Sequence, residues 1–187
     1  LIIIDEQHRF GVEHRKLLIE KGTNPEILAM TATPIPRTLS ITIHGDMDIS
    51  IIDELPKNRI PIKTKLITPK ELERTYDIIK NEIKNGGQAF IVYPLIDESE
   101  KLDLEAAKSG YEKLKKIFSE FKLGYIHGKM KKEKIDNQME LMAKGKIDCL
   151  ITTTVIEVGI NIPNATIILI ENAERFGLSQ LHQLRGR

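Results

Sequence analysis

Residues 68–93, TPKELERTYDIIKNEIKNGGQAFIVY, decide the fold class because they contain a helix followed directly by a strand. Thr68 is a good N-cap residue, Pro69 suits the first helical position, and Glu71 can reach back to the cap. Apolar residues then recur at spacings of four, three and four, on one helix face, at Leu72, Tyr76, Ile79 and Ile83. The pattern predicts a helix that packs this face against a hydrophobic core.

The helical pattern ends at Gly86-Gly87, and the continuous apolar run Ala89–Tyr93 follows. Continuous runs are typical of strands that are buried on both faces of a parallel sheet. Similar runs recur at Leu1–Ile4, Ile27–Met30, Ile147–Ile151 and Ile167–Ile170. Two further helical stripes are Tyr111, Leu114, Phe118, Phe121 and Ile135, Met139, Met142. Alternating strands and helices predict an α/β fold, an open parallel sheet flanked by helices.

The best break in this pattern is Leu55–Pro61, a polar stretch flanked by two prolines. We predict a first segment at residues 1–56, a linker at 57–61 and a domain at 62–187. The last segment contains five strand candidates, which is nearly a whole domain, whereas the first is about one third of one. Its apolar runs would lack neighbouring strands, so we expect residues 1–56 to be mobile or to pack against another copy of the chain.

The composition is that of a soluble globular protein. The chain has 28 basic and 27 acidic side chains, so its net charge of +1 gives no whole-chain signal for nucleic acid. Cys149 is the one cysteine, which excludes an internal disulfide and predicts a small core residue. No apolar run reaches the roughly 18 residues that span a membrane, and Leu1–Glu6 lacks the basic region of a signal peptide. We expect a cytoplasmic protein with no membrane partner.

Two acidic residues follow the first apolar run and are candidates for catalysis. Asp5 and Glu6 fall at the carboxyl end of a predicted strand, where open α/β sheets bind their ligands. Acid pairs after strands are common, and for these two residues alone a solvated strand end is the better interpretation. Thr31-Ala32-Thr33 follows the second run, and taken alone it fits an ordinary turn with Thr33 as a helix cap.

Candidate phosphate contacts follow two later strands. His127-Gly128-Lys129 precedes a helix whose N-terminal N–H groups can hold a phosphate, and Lys129 can add positive charge. Thr152 and Thr153 can bond phosphates through their hydroxyls. A solvated basic helix start and a capped strand end are the competing interpretations. Aromatic residues make up 5% of the chain and Trp is absent, so base stacking is not an evident binding mode.

Taken together and in order, these motifs resemble those of superfamily 2 helicases. Asp5-Glu6-Gln7-His8 matches the D-E-x-H box, and Thr31-Ala32-Thr33 matches the T-A-T motif. Ile151–Ala165 resembles helicase motif V, and Gln180–Arg187 resembles the first part of motif VI. Two motifs in the right order and spacing make an ordinary turn an unsuitable explanation for the threonines.

The linking segments narrow the resemblance to two families of bacterial DNA translocases, RecG and the transcription-repair coupling factor Mfd. The segments that resemble both are Phe10–Val12, Pro34–Thr38 and Glu171–Gly177. Two others, Gly45–Pro56 and Tyr93–Glu100, favour the RecG family. The resemblance covers essentially the whole chain in collinear order.

The resemblance implies a RecA-like motor that uses ATP and Mg²⁺, with residues 1–56 in its first domain and 62–187 in its second. It implies that Asp5 holds the magnesium ion, Glu6 acts on the attacking water and Arg187 contacts the γ-phosphate. Other implied nucleotide-binding residues are Glu157, Gly159 and Asn161. The implied coupling residues are Gln7, His8, Thr31, Ala32, Thr33 and Gln183. The implied DNA-binding residues are His127, Gly128, Lys129, Thr152 and Thr153.

Some features depart from the family pattern. Asn161 stands where the family usually has Asp, and the lost charge puts in doubt any role that needs a carboxylate. Arg185 fits a surface arginine as well as a phosphate contact. The chain contains no G-x-x-x-x-G-K-[S/T] phosphate loop, and motif VI breaks off before its second arginine. We expect a fragment without ATPase or unwinding activity of its own, whose partners include the remainder of its motor and wedge domains.

The whole protein is predicted to be a bacterial, nucleoid-associated helicase that drives along duplex DNA. It would remodel branched DNA, such as forks and Holliday junctions, in repair and recombination. One alternative is an Mfd-type translocase, which upstream sequence would distinguish. The other is a non-catalytic module that binds nucleic acid. This alternative explains the absence of the phosphate loop, but it does not account for the presence of Asp5, Glu6 and Arg187, because binding alone requires none of them.

Overall fold

The computed structural model describes residues 1–6, 11–23, 25–31, 48–54, 60–94, 110–153 and 162–186. The chain divides into two compact units, Leu1–Pro61 and Ile62–Arg187. Among the described residues, no helix combines the length and the apolar character that a membrane crossing requires.

The first unit contains a pair of short parallel strands with one helix between them. Strand β1 is Ile2–Ile4, helix α1 is Val12–Glu20 and strand β2 is Ile27–Ala29. Ile2 pairs with Ile27 and Ile4 with Ala29, which confirms that the two apolar runs form parallel strands. Ile4 is buried, but Ile3 is 58% exposed and Leu28 is 48% exposed. The two strands therefore bury one side only.

The second unit contains a sheet of four parallel strands, in the order β4-β5-β3-β6. Its elements in chain order are a 3₁₀ turn (Pro69–Glu71), α2 (Leu72–Lys84), β3 (Gln88–Tyr93), α3 (residues 110–117), β4 (Leu123–Ile126), α4 (Lys132–Ala143), β5 (Cys149–Thr153), β6 (Ala165–Ile170), a second 3₁₀ turn (Ala173–Arg175) and α5 (Leu178–Arg185). The parallel sheet flanked by helices confirms the predicted fold class. The described residues after Ile62 contain four strands, one fewer than the five candidates.

The sequence predicts a helix that begins at Pro69 after a Thr68 cap; the cap forms, but Pro69–Glu71 is a 3₁₀ turn and α2 begins at Leu72. The Glu71 carboxylate accepts hydrogen bonds from the Thr68 N–H at 2.9 Å and the Thr68 hydroxyl at 3.0 Å. Lys65 donates to the other carboxylate oxygen at 2.9 Å. The Thr68 N–H, then Lys65 and the Thr68 hydroxyl, lower the pKa of Glu71 to about 2. In the predicted stripe Tyr76, Ile79 and Ile83 are buried, and Leu72 is half-buried.

Alternate strand residues face two separate cores. One core combines Phe90, Val92, Ile126 and Leu150 with Met139 and Met142 of α4 and Leu184 of α5. The other combines Ala89, Ile91, Cys149 and Ile151 with Tyr76 and Ile79 of α2, Leu114 of α3 and the adjacent Phe118. Burial, followed by the charge of Asp148, raises the pKa of the Cys149 thiol to about 12. Cys149 is therefore a core residue with an inert thiol, as the sequence indicates.

Strand β5 differs from its predicted range. The apolar run Ile147–Ile151 predicts a strand there, whereas the strand is Cys149–Thr153. It extends through Thr152 and Thr153, which are 0% and 3% exposed. These residues pair with Val92 and Tyr93 of β3, and β-branched threonine fits a strand well. The strand therefore places two polar side chains in the buried part of the sheet at its carboxyl end.

Candidate functional site

The carboxyl edge of the second unit's sheet carries a row of polar side chains, one at the end of each strand or directly after it. Because all four strands are parallel, the residues that end them lie along one edge. In the spatial order of the strands these residues are His127, Thr153, Tyr93 and Glu171, which we call the carboxyl-edge row. Ligands of open α/β sheets bind at this edge.

The strand register places the members of the row at one level. Tyr93 pairs directly with Thr153. Ile126 pairs with Thr152, so His127, the next residue, continues beside Thr153. The N–H of Glu171 donates to the carbonyl of Val92 at 2.9 Å, so Glu171 continues β6 in the same way.

The two predicted DNA-binding threonines face opposite sides of the sheet, because successive strand residues alternate. The Thr152 hydroxyl donates to the backbone carbonyl of Thr153 at 2.8 Å, so its hydrogen-bonding capacity is used within the strand. The hydroxyl oxygen of Thr153 is buried and has no hydrogen-bond partner among the residues that the structure describes. A buried unpaired hydroxyl is unfavourable, so Thr153 is the better candidate for a ligand contact.

His127 has a similarly unsatisfied atom. Its Nδ1 is buried and has no hydrogen-bond partner within the described part of the chain. The ring lies 5.4 Å from the ring of Tyr125, measured between centroids. Burial, and secondly the charge of Lys129, lowers the pKa of His127 below its usual range. The imidazole is therefore neutral at pH 7, with one ring nitrogen that donates and one that accepts.

The residues after His127 form an exposed turn that leads into α4. The N–H of Met130 donates to the carbonyl of His127 at 3.0 Å, and Gly128 and Lys129 are exposed. Lys131 precedes the first helical residue and makes no side-chain cap bond. The first turn of α4 therefore has backbone N–H groups that no capping side chain satisfies.

Gln183, the predicted coupling residue of α5, also has a buried polar atom. Its Nε2 has no hydrogen-bond partner in the described ranges. The neighbouring Leu184 is buried in the core, which fixes the orientation of the helix. Arg185 is exposed and contacts His182 at 3.2 Å between the guanidinium and the imidazole Nδ1.

In the first unit, the acidic candidates and Thr31 follow neighbouring strands. The N–H of Met30 donates to the carbonyl of Ile4 at 2.8 Å, so Asp5 and Thr31 both lie just beyond the carboxyl ends of β1 and β2. The Glu6 N–H donates to the Asp5 carboxylate at 2.9 Å, and Glu6 has a positive φ of 49°. Asp5 and Thr31 are exposed and Glu6 is half-buried. Carboxylate and hydroxyl oxygens at such an edge suit a hard cation such as Mg²⁺.

Other predicted site residues lie outside the described residues. They are Gln7, His8, Ala32, Thr33, Glu157, Gly159, Asn161 and Arg187. Within the described ranges, no group of three or more His, Cys, Asp or Glu side chains is placed to hold a metal ion.

Sequence reasoning did not assign Tyr93 and Glu171 to the site, and it treated Tyr76 as a core residue only. The Tyr76 hydroxyl donates to the Glu171 carboxylate at 3.3 Å. Burial, and then the charge of Glu171, raises the pKa of both Tyr76 and Tyr93 above the usual value. The positions of Tyr93 and Glu171 could have been predicted from the sequence, because in a parallel sheet the residues that end each apolar run lie at one edge.

A groove of about 450 Å³ lies between α2 and α3. It is lined by Pro69, Leu72, Glu73, Tyr76, Asp77, Lys80, Lys113 and Ile117. None of the described residues predicted for ATP or DNA lines it, and its link to the carboxyl-edge row is the Tyr76–Glu171 hydrogen bond.

Solved structures resemble the chain in fold. Yeast Dbp5 bound to RNA and ADP BeF3 matches with a TM-score of 0.58 and 15% identity, over 99% of this chain and 49% of that chain. Mycobacterium smegmatis helicase Lhr bound to ssDNA and AMP-PNP matches with a TM-score of 0.55 and 18% identity, over 90% of this chain and 24% of the other. At these identities the matches show the fold alone, which is the RecA-like fold of helicases.

Sequence comparisons give closer relatives. The ATP-dependent DNA helicase RecG of Aquifex aeolicus is 56% identical over 189 residues, which cover 100% of this chain and 24% of that protein. The RecG proteins of Synechocystis and Thermotoga maritima are 52% and 51% identical, with 100% of this chain covered and 23% and 24% of each relative. The chain thus spans about a quarter of the length of these curated relatives. The family model described as the helicase conserved C-terminal domain matches residues 70–187, and this chain therefore belongs to that family.

Proposed function

We propose that this chain is motor-domain sequence of an ATP-driven DNA helicase of the RecG type. The second unit would be its second RecA-like motor domain, and the first unit would be part of the first. The observation that carries the proposal is a pair of buried atoms in the carboxyl-edge row, His127 Nδ1 and Thr153 Oγ1, that have no hydrogen-bond partner among the described residues. His127 and Thr153 occupy positions at which the resemblance to helicases implies DNA contacts. In the whole protein, ATP hydrolysis would drive movement along DNA and remodel forks and Holliday junctions in repair and recombination.

The second unit supplies the DNA contacts in this proposal. Thr153 would contribute its hydroxyl to a backbone phosphate oxygen, and His127 would contribute the ring nitrogen that has no partner among the described residues. The exposed turn at Gly128 and Lys129 brings backbone N–H groups and one positive charge to the same phosphate chain. Such contacts recognise the backbone and not the base sequence, as a motor that travels along DNA requires.

ATP and Mg²⁺ are the proposed cofactors. Asp5 would hold the magnesium ion, which when bound would neutralise phosphate charge, and Glu6 would orient the attacking water or accept its proton. Thr31, which follows the strand next to that of Asp5, and Gln183 of α5 are the other proposed coupling residues among the described residues. The remaining assignments, Glu157, Gly159, Asn161 and Arg187 for the nucleotide and Gln7, His8, Ala32 and Thr33 for coupling, rest on the resemblance alone.

The 187 residues contain no G-x-x-x-x-G-K-[S/T] loop to cradle the phosphates. We therefore propose that the chain by itself hydrolyses no ATP and that activity belongs to the longer protein. A purified 187-residue chain that hydrolyses ATP in response to DNA would contradict this.

The test uses the full-length protein that contains this chain, with ATPase and DNA-binding measurements over a range of salt concentrations. Lys129→Ala should weaken DNA binding and lower the slope of log affinity against log salt by about 1. Lys116→Ala, at an exposed lysine of α3, is the matched control and should change neither quantity. Asp5→Asn should remove Mg²⁺-dependent hydrolysis and leave DNA affinity unchanged.

Three outcomes would contradict the proposal. Equal salt slopes for Lys129→Ala and Lys116→Ala would refute the placement of the DNA contacts. Full ATPase activity of Asp5→Asn would refute the magnesium assignment. A wild-type protein that binds DNA with no effect of ATP, and hydrolyses none, would indicate the non-catalytic module instead.

A further inference from the structure

One side-chain hydrogen bond joins α2 to the end of β6. The hydroxyl of Tyr76 lies 3.3 Å from a carboxylate oxygen of Glu171 and donates to it. The Tyr76 ring is 5% exposed and packs edge-on against Phe118, with 5.7 Å between ring centroids. The ring is therefore held by the core, and the hydroxyl is the part of the side chain that reaches the carboxyl-edge row.

Glu171 is the last residue fixed by the sheet before the chain turns towards α5. Its N–H donates to the carbonyl of Val92 at 2.9 Å. Asn172 follows with φ 50° and ψ 50°, a left-handed backbone conformation that residues other than glycine adopt at a cost in free energy. Phe176 then enters the core, and Gly177 precedes the first turn of α5. The side chain of Glu171 is thus placed at the start of a short, constrained turn.

The hydrogen bond matters because its acceptor is half-buried. Tyr76 and Tyr93 face the Glu171 carboxylate, and burial keeps both phenols neutral at physiological pH. A neutral phenol can donate to the carboxylate and partly replace the water that burial removes. The Tyr76 hydroxyl therefore holds the Glu171 side chain at the start of the turn, in addition to the backbone bond from Glu171 to Val92.

We infer that Tyr76 is a positioning residue, which acts through Glu171 to set the turn that places α5 and its coupling residue Gln183. This role rests on the proposed function, because it concerns the coupling of ATP hydrolysis to DNA. A displacement of about 1 Å at a reacting centre can lower a rate roughly 100-fold, so a loosened anchor at the base of α5 is expected to be measurable.

The test is a set of variants of the full-length protein, assayed for DNA-stimulated ATP hydrolysis. Tyr76→Phe keeps the ring and removes the hydroxyl, and we expect kcat to fall about tenfold while KM for ATP changes less than about twofold. Glu171→Ala should cause the same fall, and Tyr76→Phe should add nothing to it, because both changes remove one interaction. Glu171→Gln keeps a carbonyl oxygen that accepts from Tyr76, so it should retain most of the rate.

Tyr111→Phe is the matched control, since this half-buried tyrosine stacks on Tyr125 and makes no hydroxyl hydrogen bond among the described residues. Its kcat should equal that of the wild type, and the thermal midpoints of all variants should lie close together. A normal kcat for Tyr76→Phe, or a further loss when it is added to Glu171→Ala, would overturn the inference. A fall in kcat that parallels the fall in the thermal midpoint across the variants would also overturn the inference. A wild-type protein without DNA-stimulated hydrolysis would overturn the proposed function, and this role with it.

Discussion

The side-chain amide of Gln88 lies 2.6 Å from the backbone carbonyl oxygen of Ile147 and donates a hydrogen bond to it. The same nitrogen donates to the carbonyl of Met142 at 2.7 Å. Gln88 begins β3 and is 4% exposed, so its amide joins the start of one strand to the segment between α4 and β5. A buried polar side chain thus ties the start of β3 to the segment between α4 and β5, at the edge of the sheet opposite the carboxyl-edge row.

Gln88→Leu should therefore destabilise the chain, although it replaces a polar side chain with an apolar one. The Ile147 carbonyl would lose a donor in a buried site, while the Met142 carbonyl would keep its bond from the Gly145 N–H. Removal of the buried Gln88 Oε1, which has no partner among the described residues, offsets part of the loss, so we expect a cost of about 1 kcal/mol in the free energy of unfolding. Urea denaturation of the 187-residue chain measures this, with Asn137→Leu on the exposed side of α4 as the control. Equal midpoints for the two variants would show that the Gln88 bonds contribute nothing.

Thr152 and Thr153 should respond in opposite ways to substitution by valine. Thr152→Val removes a hydroxyl that donates to a backbone carbonyl, and should lower the unfolding free energy by about 1 kcal/mol. Thr153→Val removes a buried hydroxyl without a partner among the described residues, and should raise the unfolding free energy by about 1 kcal/mol. Calorimetry of the two variants compares these effects on matched side chains.

The same Thr153→Val change should weaken function in the full-length protein. One lost hydrogen bond to a phosphate corresponds to about a tenfold lower DNA affinity. A protein that is more stable and binds DNA less tightly would indicate that the hydroxyl is kept for a ligand. If Thr153→Val destabilises the fold and leaves DNA affinity unchanged, the hydroxyl has a structural partner and the assignment is wrong.

Gly124→Ala should be costly because there is no space for a Cβ at this position of β4. A Cβ there would lie 2.7 Å from Leu150 Cδ1 and 2.8 Å from Ile147 Cδ1. Overpacking of this kind costs about 1–3 kcal/mol. In a Leu150→Val background, which removes the nearest methyl group, the cost should be smaller, and a double-mutant cycle of unfolding free energies measures the difference. Strictly additive costs would contradict the predicted clash.

The start of α2 should confer a pH-dependent stability. The pKa of Glu71 is about 2 in the folded chain and 4.5 ordinarily. Because the folded value is the lower one, the stabilisation is complete above about 4.5 and is lost as the pH falls towards 2. Glu71→Gln should therefore lower the thermal midpoint at pH 7, and its difference from the wild type should shrink between about pH 5 and pH 2. Glu73→Gln in the next turn is the control, and a constant difference across this range would exclude the Thr68–Glu71 cap.

Local signals in the sequence predicted much of the fold. The Thr68–Glu71 cap, the buried stripe of α2 and the presence of strands in Leu1–Ile4 and Ile27–Met30 depend on neighbouring residues, and the structure confirms them. Burial on both faces, which the continuous runs also predict, was wrong for these two strands, because Ile3 and Leu28 are exposed. The range of β5 was wrong by two residues at each end because burial of Thr152 and Thr153 depends on β3. Apolar runs do not reveal polar residues that a sheet buries.

The site was less predictable for a related reason. Motif resemblance selected His127 and Thr153, whose buried atoms lack partners among the described residues. It gave no indication that Thr152 and Thr153 differ, since their distinction depends on which face each residue takes. Tyr76 and Glu171 are 95 positions apart in the chain, and no spacing rule connects them. Such contacts arise from the strand order β4-β5-β3-β6, which the sequence pattern leaves open.

The carboxyl-edge row has one residue at the end of each of four strands, and this limits the insertions and deletions that the sequence can tolerate. A single inserted or deleted residue within β5 would exchange the faces of Thr152 and Thr153, and would move Thr153 out of line with Tyr93. Changes in chain length are therefore tolerable between the strands but not inside them. A survey of relatives should find insertions in the connecting segments, while the distance in sequence from the first residue of each strand to its row member stays constant.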